Sequence, residues 1–104
     1  SEPIKHTTLF LNEDIEYVGV IIKDDTLAPL IYKDSIVILE KTKNIKNGDL
    51  AVFSIDNVFY MRRFFEKNKT IILSHIDSSY EPIIITSSSN FKTYGKLVVT
   101  INEI

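Results

Sequence analysis

The side chains with the most chemistry to offer are a hydroxyl behind two acids, Asp24-Asp25-Thr26, and the paired guanidiniums of Met61-Arg62-Arg63-Phe64. Thr26 follows an apolar run ending at Ile22, so it stands just past a predicted strand end. A hydroxyl there has three uses: it caps a helical turn, contacts a ligand, or attacks a carbonyl as a nucleophile. As a cap, Thr26 or Asp25 needs no further function. Nucleophilic attack needs a base to take the proton. Neither Arg62 nor Arg63 is one, because a guanidinium stays protonated in proteins. Thr26 also carries a methyl beside its oxygen, which stiffens χ1. Lys67 and Lys69 fall in a turn, where water keeps an ammonium charged. Period-two alternation sends Arg63 to the face opposite Arg62.

Other chemistries find little support. The chain has no cysteine, which removes disulfides, thiolate catalysis and cysteine-based zinc sites together. His6 and His75 are far apart, and Asp24-Asp25 lacks the further oxygen ligands of a calcium loop, so no metal and no cofactor are expected. A formal charge of -2 gives no footprint for nucleic acid, and Arg62-Arg63 is too small a basic cluster to supply one. No apolar stretch reaches membrane-spanning length and no signal peptide opens the chain, so a cytoplasmic protein without a membrane partner is expected.

At 104 residues, 44% hydrophobic and 25% charged, the chain predicts one globular domain able to bury a core without staples. Residues 1–14 read as an amino-terminal arm, with Thr7 to Leu11 as a short strand, and 15–104 as the domain. Nearly every later segment is short and β-branched or aromatic, with turn residues between. Tyr17 to Ile22 is apolar on both faces and predicts a central, doubly covered strand; Ile36 to Leu39 is another such run. Asn47-Gly48 supplies positive-φ turn residues, and Asp56-Asn57 joins Leu50–Ile55 to Val58–Phe65 as a tight hairpin. Glu66 to Lys69 turns into Thr70–Leu73; Pro82–Thr86 is extended, and Lys96–Ile101 closes the domain as a strand. The longest helical candidate is one turn, Thr26 to Ile31.

The order of these elements resembles the carboxy-terminal domain of the LexA, UmuD and phage-repressor family of self-cleaving Ser-Lys peptidases. Asp25-Thr26-Leu27-Ala28-Pro29 stands where that family carries its serine motif, and Asn47-Gly48-Asp49 matches its turn. Met61-Arg62-Arg63-Phe64 matches the strand bearing the lysine base. The stretch from Leu73 to Ile83 matches the following loop, and Tyr94-Gly95-Lys96-Leu97-Val98-Val99 matches the last strand. The departures fall on the chemistry: Thr26 occupies the nucleophile position and Arg62 the base position, and across the cleft that the resemblance implies a bridge from Arg62 to Asp24 or Asp25 is the expected replacement for the dyad. The resemblance implies a mostly β, signal-peptidase-like fold of short, highly bent sheets with at most one helical turn.

It also implies a function. The expectation is the dimerisation and regulatory domain of a helix-turn-helix transcriptional repressor, phage-like, whose peptidase site is degenerate. DNA would be bound only through an upstream domain absent from this chain. Leu97, Val99 and Ile101 on the last strand are the expected dimerisation residues, and an antirepressor or another protein partner the expected trigger. Two alternatives stand beside it. One is an active self-cleaving peptidase with Thr26 as nucleophile. The other is a module that binds a peptide or small ligand in the former cleft through Asp24, Asp25, Thr26 and Arg62.

Overall fold

The computed structural model describes residues 12–87 and 89–101, and among them there is no helix. Seven strands follow in chain order: β1 (Tyr17–Ile21), β2 (Ile36–Glu40), β3 (Leu50–Ile55), β4 (Val58–Lys67), β5 (Thr70–Ser74), β6 (Ile83–Ile84) and β7 (Phe91–Ile101). All pair antiparallel in one sheet of order β1-β2-β7-β3-β4-β5-β6. The mostly β fold expected of the sequence is the fold observed, as one continuous sheet rather than several short ones. The amino-terminal arm and the strand expected at Thr7 to Leu11 lie outside the described residues, apart from Asn12 to Asp14.

Local chemistry accounts for the hairpins. Asp56 and Asn57 both take positive φ (49° and 69°), as do Asn68 and Lys69 (52° and 65°). Two such residues between antiparallel strands make the mirror-image turn whose twist suits a hairpin. Asp56 also bonds Asn90 in both directions, N–H to carbonyl (3.0 Å) and carboxylate to N–H (3.1 Å), which pins the turn to the start of β7. Gly48, at φ 92°, reverses the chain before β3, and its N–H reaches the Phe64 carbonyl.

Side-chain alternation on β3 divides the core. Leu50 and Val52 join Ile22, Leu27, Ile31, Val37 and Leu39 on one side, while Ala51, Phe53 and Ile55 join Phe64, Leu73 and Phe91 on the other. The strand covered on both faces is therefore β3. Against expectation, β1 lies at the edge of the sheet, with Val18 and Ile21 exposed. Its apolar run reflects a face only partly covered, and a continuous apolar stretch alone does not tell the two situations apart.

The last strand starts at Phe91, earlier than Lys96, and serves two neighbours in turn. Residues 91–96 pair with β3 and residues 96–101 with β2. Each ladder shifts register once: Val52 and Phe53 face Gly95 and Thr93, and Ile38 and Leu39 face Val99 and Leu97. Tyr94 and Val98 are thus the extra residues of two bulges, which bend a strand and increase its twist. Pro82–Thr86 shrinks to the two-residue strand β6.

Candidate functional site

The loop between β1 and β2 is built to hold its shape. At its base Ile22 N–H donates to the Ser35 carbonyl (2.9 Å) and Asp34 N–H to that of Ile22 (2.8 Å). Inside, Ala28 N–H donates to the Asp25 carbonyl and Ile31 N–H to that of Leu27 (3.0 Å), the single helical turn predicted for Thr26 to Ile31. That turn places Leu27 and Ile31, four apart, on one face and buries both. Its cap is Asp24 rather than Thr26 or Asp25. The Asp24 Oδ1 accepts from both the Thr26 N–H (3.0 Å) and the Thr26 hydroxyl (2.8 Å). These two bonds hold the Asp24 carboxyl below its ordinary value. Asp25 Oδ1 accepts from the Lys33 N–H at 2.9 Å and closes the far side of the loop.

A second loop, between β5 and β6, repeats the device. Asp77 Oδ1 accepts from the Ser79 N–H (2.9 Å) and the Ser79 hydroxyl (2.8 Å). The Asp77 N–H donates to Nδ1 of His75 at 2.9 Å, and the His75 ring stacks on Tyr80, centroids 4.0 Å apart and 15° from parallel.

Between the two loops, over the middle of β4, is a cleft of about 230 Å³ lined by Thr26, Leu27, Phe59, Tyr60, Met61, Arg62, His75 and Tyr80. The fold thus brings Thr26 and Arg62 together from positions 36 residues apart. Asp24 and Asp25 do not line the cleft, and no ion pair joins either to Arg62. Among the described residues the ion pairs are Lys41–Glu16 (3.3 Å) and Lys96–Glu40 (3.7 Å), both elsewhere. The expected bridge is not formed because both acids are committed to the amides and hydroxyl of their own loop. Arg63 is separated from Arg62 as alternation requires. It borders a different cleft, beside Ala28, Pro29 and Leu30, and donates to the Gly48 carbonyl at 2.9 Å.

Arg62 is 8% exposed. Its Nη1 donates to the Glu81 carbonyl at 3.2 Å, and its guanidinium carbon lies 5.7 Å from the centre of the Tyr60 ring, a cation–π distance. Burial draws its pKa below the ordinary arginine value, while the Tyr60 and Tyr80 phenols act the other way. An arginine retains its proton through such a shift.

His75 lines the cleft, as do Phe59, Tyr60 and Tyr80, though sequence reasoning assigned none of the four a role there. Partial burial and then the Arg62 charge hold the His75 pKa below the ordinary imidazole value, against the opposing pull of Asp77. Because Nδ1 accepts the Asp77 N–H, the neutral ring carries its proton on Nε2 and has no second lone pair to offer. Nothing in the local sequence separates this histidine from a solvated one; the spacing His75-x-x-x-x-Tyr80 acquires meaning only once the Asp77 turn folds the two rings together.

On the dimerisation residues expected from the last strand, Leu97 packs against the first core cluster and Val99 and Ile101 are half-buried. Beyond Lys96 the ladder to β3 ends, so residues 97–101 pair with β2 alone. Among the described residues no three potential metal ligands gather, and no helix is long and apolar enough to cross a membrane.

The family model described as peptidase S24-like matches residues 2–98. The LexA repressor of Clostridium botulinum (strain Hall) is 38% identical over 68 residues, covering 65% of this chain and 32% of that protein. The LexA repressors of Clostridium novyi (strain NT) and Clostridium acetobutylicum are 37% and 36% identical over 67 residues, each covering 64% of this chain. This chain spans about a third of the length of these curated relatives.

Proposed function

Because the chain belongs to the peptidase S24-like family, we propose that it is the carboxy-terminal dimerisation and regulatory domain of a helix-turn-helix transcriptional repressor that does not cleave itself. The relatives named as LexA repressors support the repressor reading. What carries the inactive reading is the absence of a competent proton acceptor where the family mechanism needs one. Thr26 directs its hydroxyl proton to Asp24, whose carboxyl is held below its ordinary value and is therefore a weak base. Arg62 takes no proton, and the free nitrogen of His75 already carries one. A general base contributes roughly 10²–10⁴-fold to such a step.

Dimerisation draws support from residues 97–101 of β7, whose β3 side has no strand partner among the described residues and so offers backbone groups for pairing with a second copy. Two domains joined this way place two DNA-binding domains on a two-fold operator at high effective concentration. Such a repressor is cytoplasmic and phage-like, touches DNA only through an upstream domain, and is switched by a protein partner, such as an antirepressor, rather than by cleavage. The test is twofold. Incubated at high pH, the full-length protein should stay intact; processing that disappears in Thr26→Ala would overturn the inactive reading. Sedimentation at micromolar concentration should show a dimer, and a monomer that no partner converts would overturn the dimerisation role.

A further inference from the structure

We propose that the cleft between the two loops is a binding site for a single carboxylate, with Arg62 as its anchor and the Tyr60, Tyr80 and Leu27 side chains as the walls for whatever carries it. This goes beyond the repressor reading and does not depend on it. The starting observation is a charge without a counter-charge. Arg62 is more than nine-tenths buried, yet among the described residues its guanidinium makes one hydrogen bond, to a neutral carbonyl, and no carboxylate lies within ion-pair distance. Leaving a buried charge unpaired is costly, and folded proteins ordinarily avoid it. Asp24 and Asp77 each hold an amide and a hydroxyl of their own loop, and the carboxylate of Glu81, an exposed residue, makes no ion pair with Arg62 although its carbonyl accepts from it.

The guanidinium has five N–H donors and one is engaged by Glu81. Among the described residues no side-chain nitrogen is both sealed from solvent and unbonded. The remaining donors of Arg62 therefore keep some access to solvent, and the cleft that Arg62 lines is where a ligand would meet them. A planar fork of that kind matches a carboxylate in bidentate geometry. The rest of the site sets the class of ligand. No second cation lines the cleft, and His75 is held toward its neutral form, so a dianionic phosphate would meet one positive charge only. Two tyrosine rings, Phe59 and Leu27 suit an apolar group attached to the acid. At about 230 Å³ the volume is below the usual range for drug-sized ligands, roughly 300–1,000 Å³. A peptide carboxy terminus or a small organic acid fits that description.

The test is a titration of the labelled protein, followed by NMR at the Arg62 Nε–H and the His75 ring. The probes are N-acetyl-alanyl-leucine with a free carboxylate, the same dipeptide as its carboxamide, and sodium acetate. The free acid should saturate and bind at least about tenfold more tightly than the amide, a difference of ~1.4 kcal/mol. The His75 midpoint should rise at saturation, because the ligand cancels the Arg62 field that faces it; of the other groups against the ring, Tyr80 is an uncharged wall of the cleft and Asp77 does not line it. Arg62→Lys should weaken binding and Arg62→Gln abolish it. If acetate saturates as well as the dipeptide acid, the site takes small acids; if only the dipeptide does, it takes a chain end, and both results support the carboxylate site. Equal binding of acid and amide, or a free-acid titration that never saturates, would overturn it using the unmodified protein alone, whatever the variants do to folding.

Discussion

At the scale of single residues, the cleft is governed by which groups already have partners. Asp24 and Thr26 satisfy one another, and Asp77 and Ser79 do the same, so the acids that look available along the chain are in use once it folds. His75 is the titrating group most exposed to the consequence. Its folded pKa lies below its unfolded one, so the unfolded chain binds a proton more readily. The associated stability is fully present above the ordinary imidazole value and is lost as pH falls through the lower folded value. Chemical denaturation between roughly pH 7 and pH 5 should therefore show stability falling toward the acid side, with the slope reduced in His75→Gln. An unchanged slope in that variant would assign the effect elsewhere. The carboxyls of Asp24 and Asp77, also lowered, add their own loss only at more acid pH, below the ordinary aspartate value.

Among the elements, β7 carries the most demanding geometry. Two bulges let one strand pair with β3 and then with β2, and Gly95 sits between them. A Cβ at Gly95 would stand 2.7 Å from the Glu40 carbonyl oxygen and 3.3 Å from the Leu39 Cβ. Backbone cannot yield as a flexible side chain does, so Gly95→Ala should destabilise by about 1–3 kcal/mol in urea unfolding. The hairpin turns lean the other way. Lys69 holds φ 65°, a conformation costing a side-chain-bearing residue roughly 1–2 kcal/mol and costing glycine far less. After the flexibility glycine adds to the unfolded chain, Lys69→Gly should stabilise by about 0.5–1 kcal/mol, read as a higher urea midpoint at unchanged slope.

For the whole molecule, stability rests on the two-sided core about β3. Phe53 is fully buried and stacks with Phe91 at 5.4 Å and Phe64 at 6.1 Å between ring centres, tying β7, β3 and β4 together. Phe53→Ala should cost about 3–5 kcal/mol. A domain of this size holds only about 5–15 kcal/mol in all. The variant should thus melt far below the parent or fail to fold, and thermal unfolding by circular dichroism distinguishes a loss of that size from a surface-like change under 1 kcal/mol. The Arg62 cleft is also a property of the whole, since three separate segments meet to make it.

Much of this was readable along the chain because it depends on neighbours in sequence. The Asp56-Asn57 hairpin, the Gly48 reversal, the single turn at Thr26–Ile31 and the β character of nearly every segment follow from local conformational preference and period-two patterning. The pairing of Thr26 with Arg62 was legible only through the order of motifs. Other features depend on contacts between distant segments and had no local mark. An apolar run cannot say whether its second face is covered, so β1 was expected at the centre and lies at the edge. Two acids beside a hydroxyl cannot say whether they will face a distant arginine or fold back on their own amides. Here the local bonds formed, and Asp24 and Asp25 took the loop's own donors. The opening trio, Asp24-Asp25-Thr26, is therefore a self-contained turn, and Arg62 is left facing an open cleft with its charge unanswered.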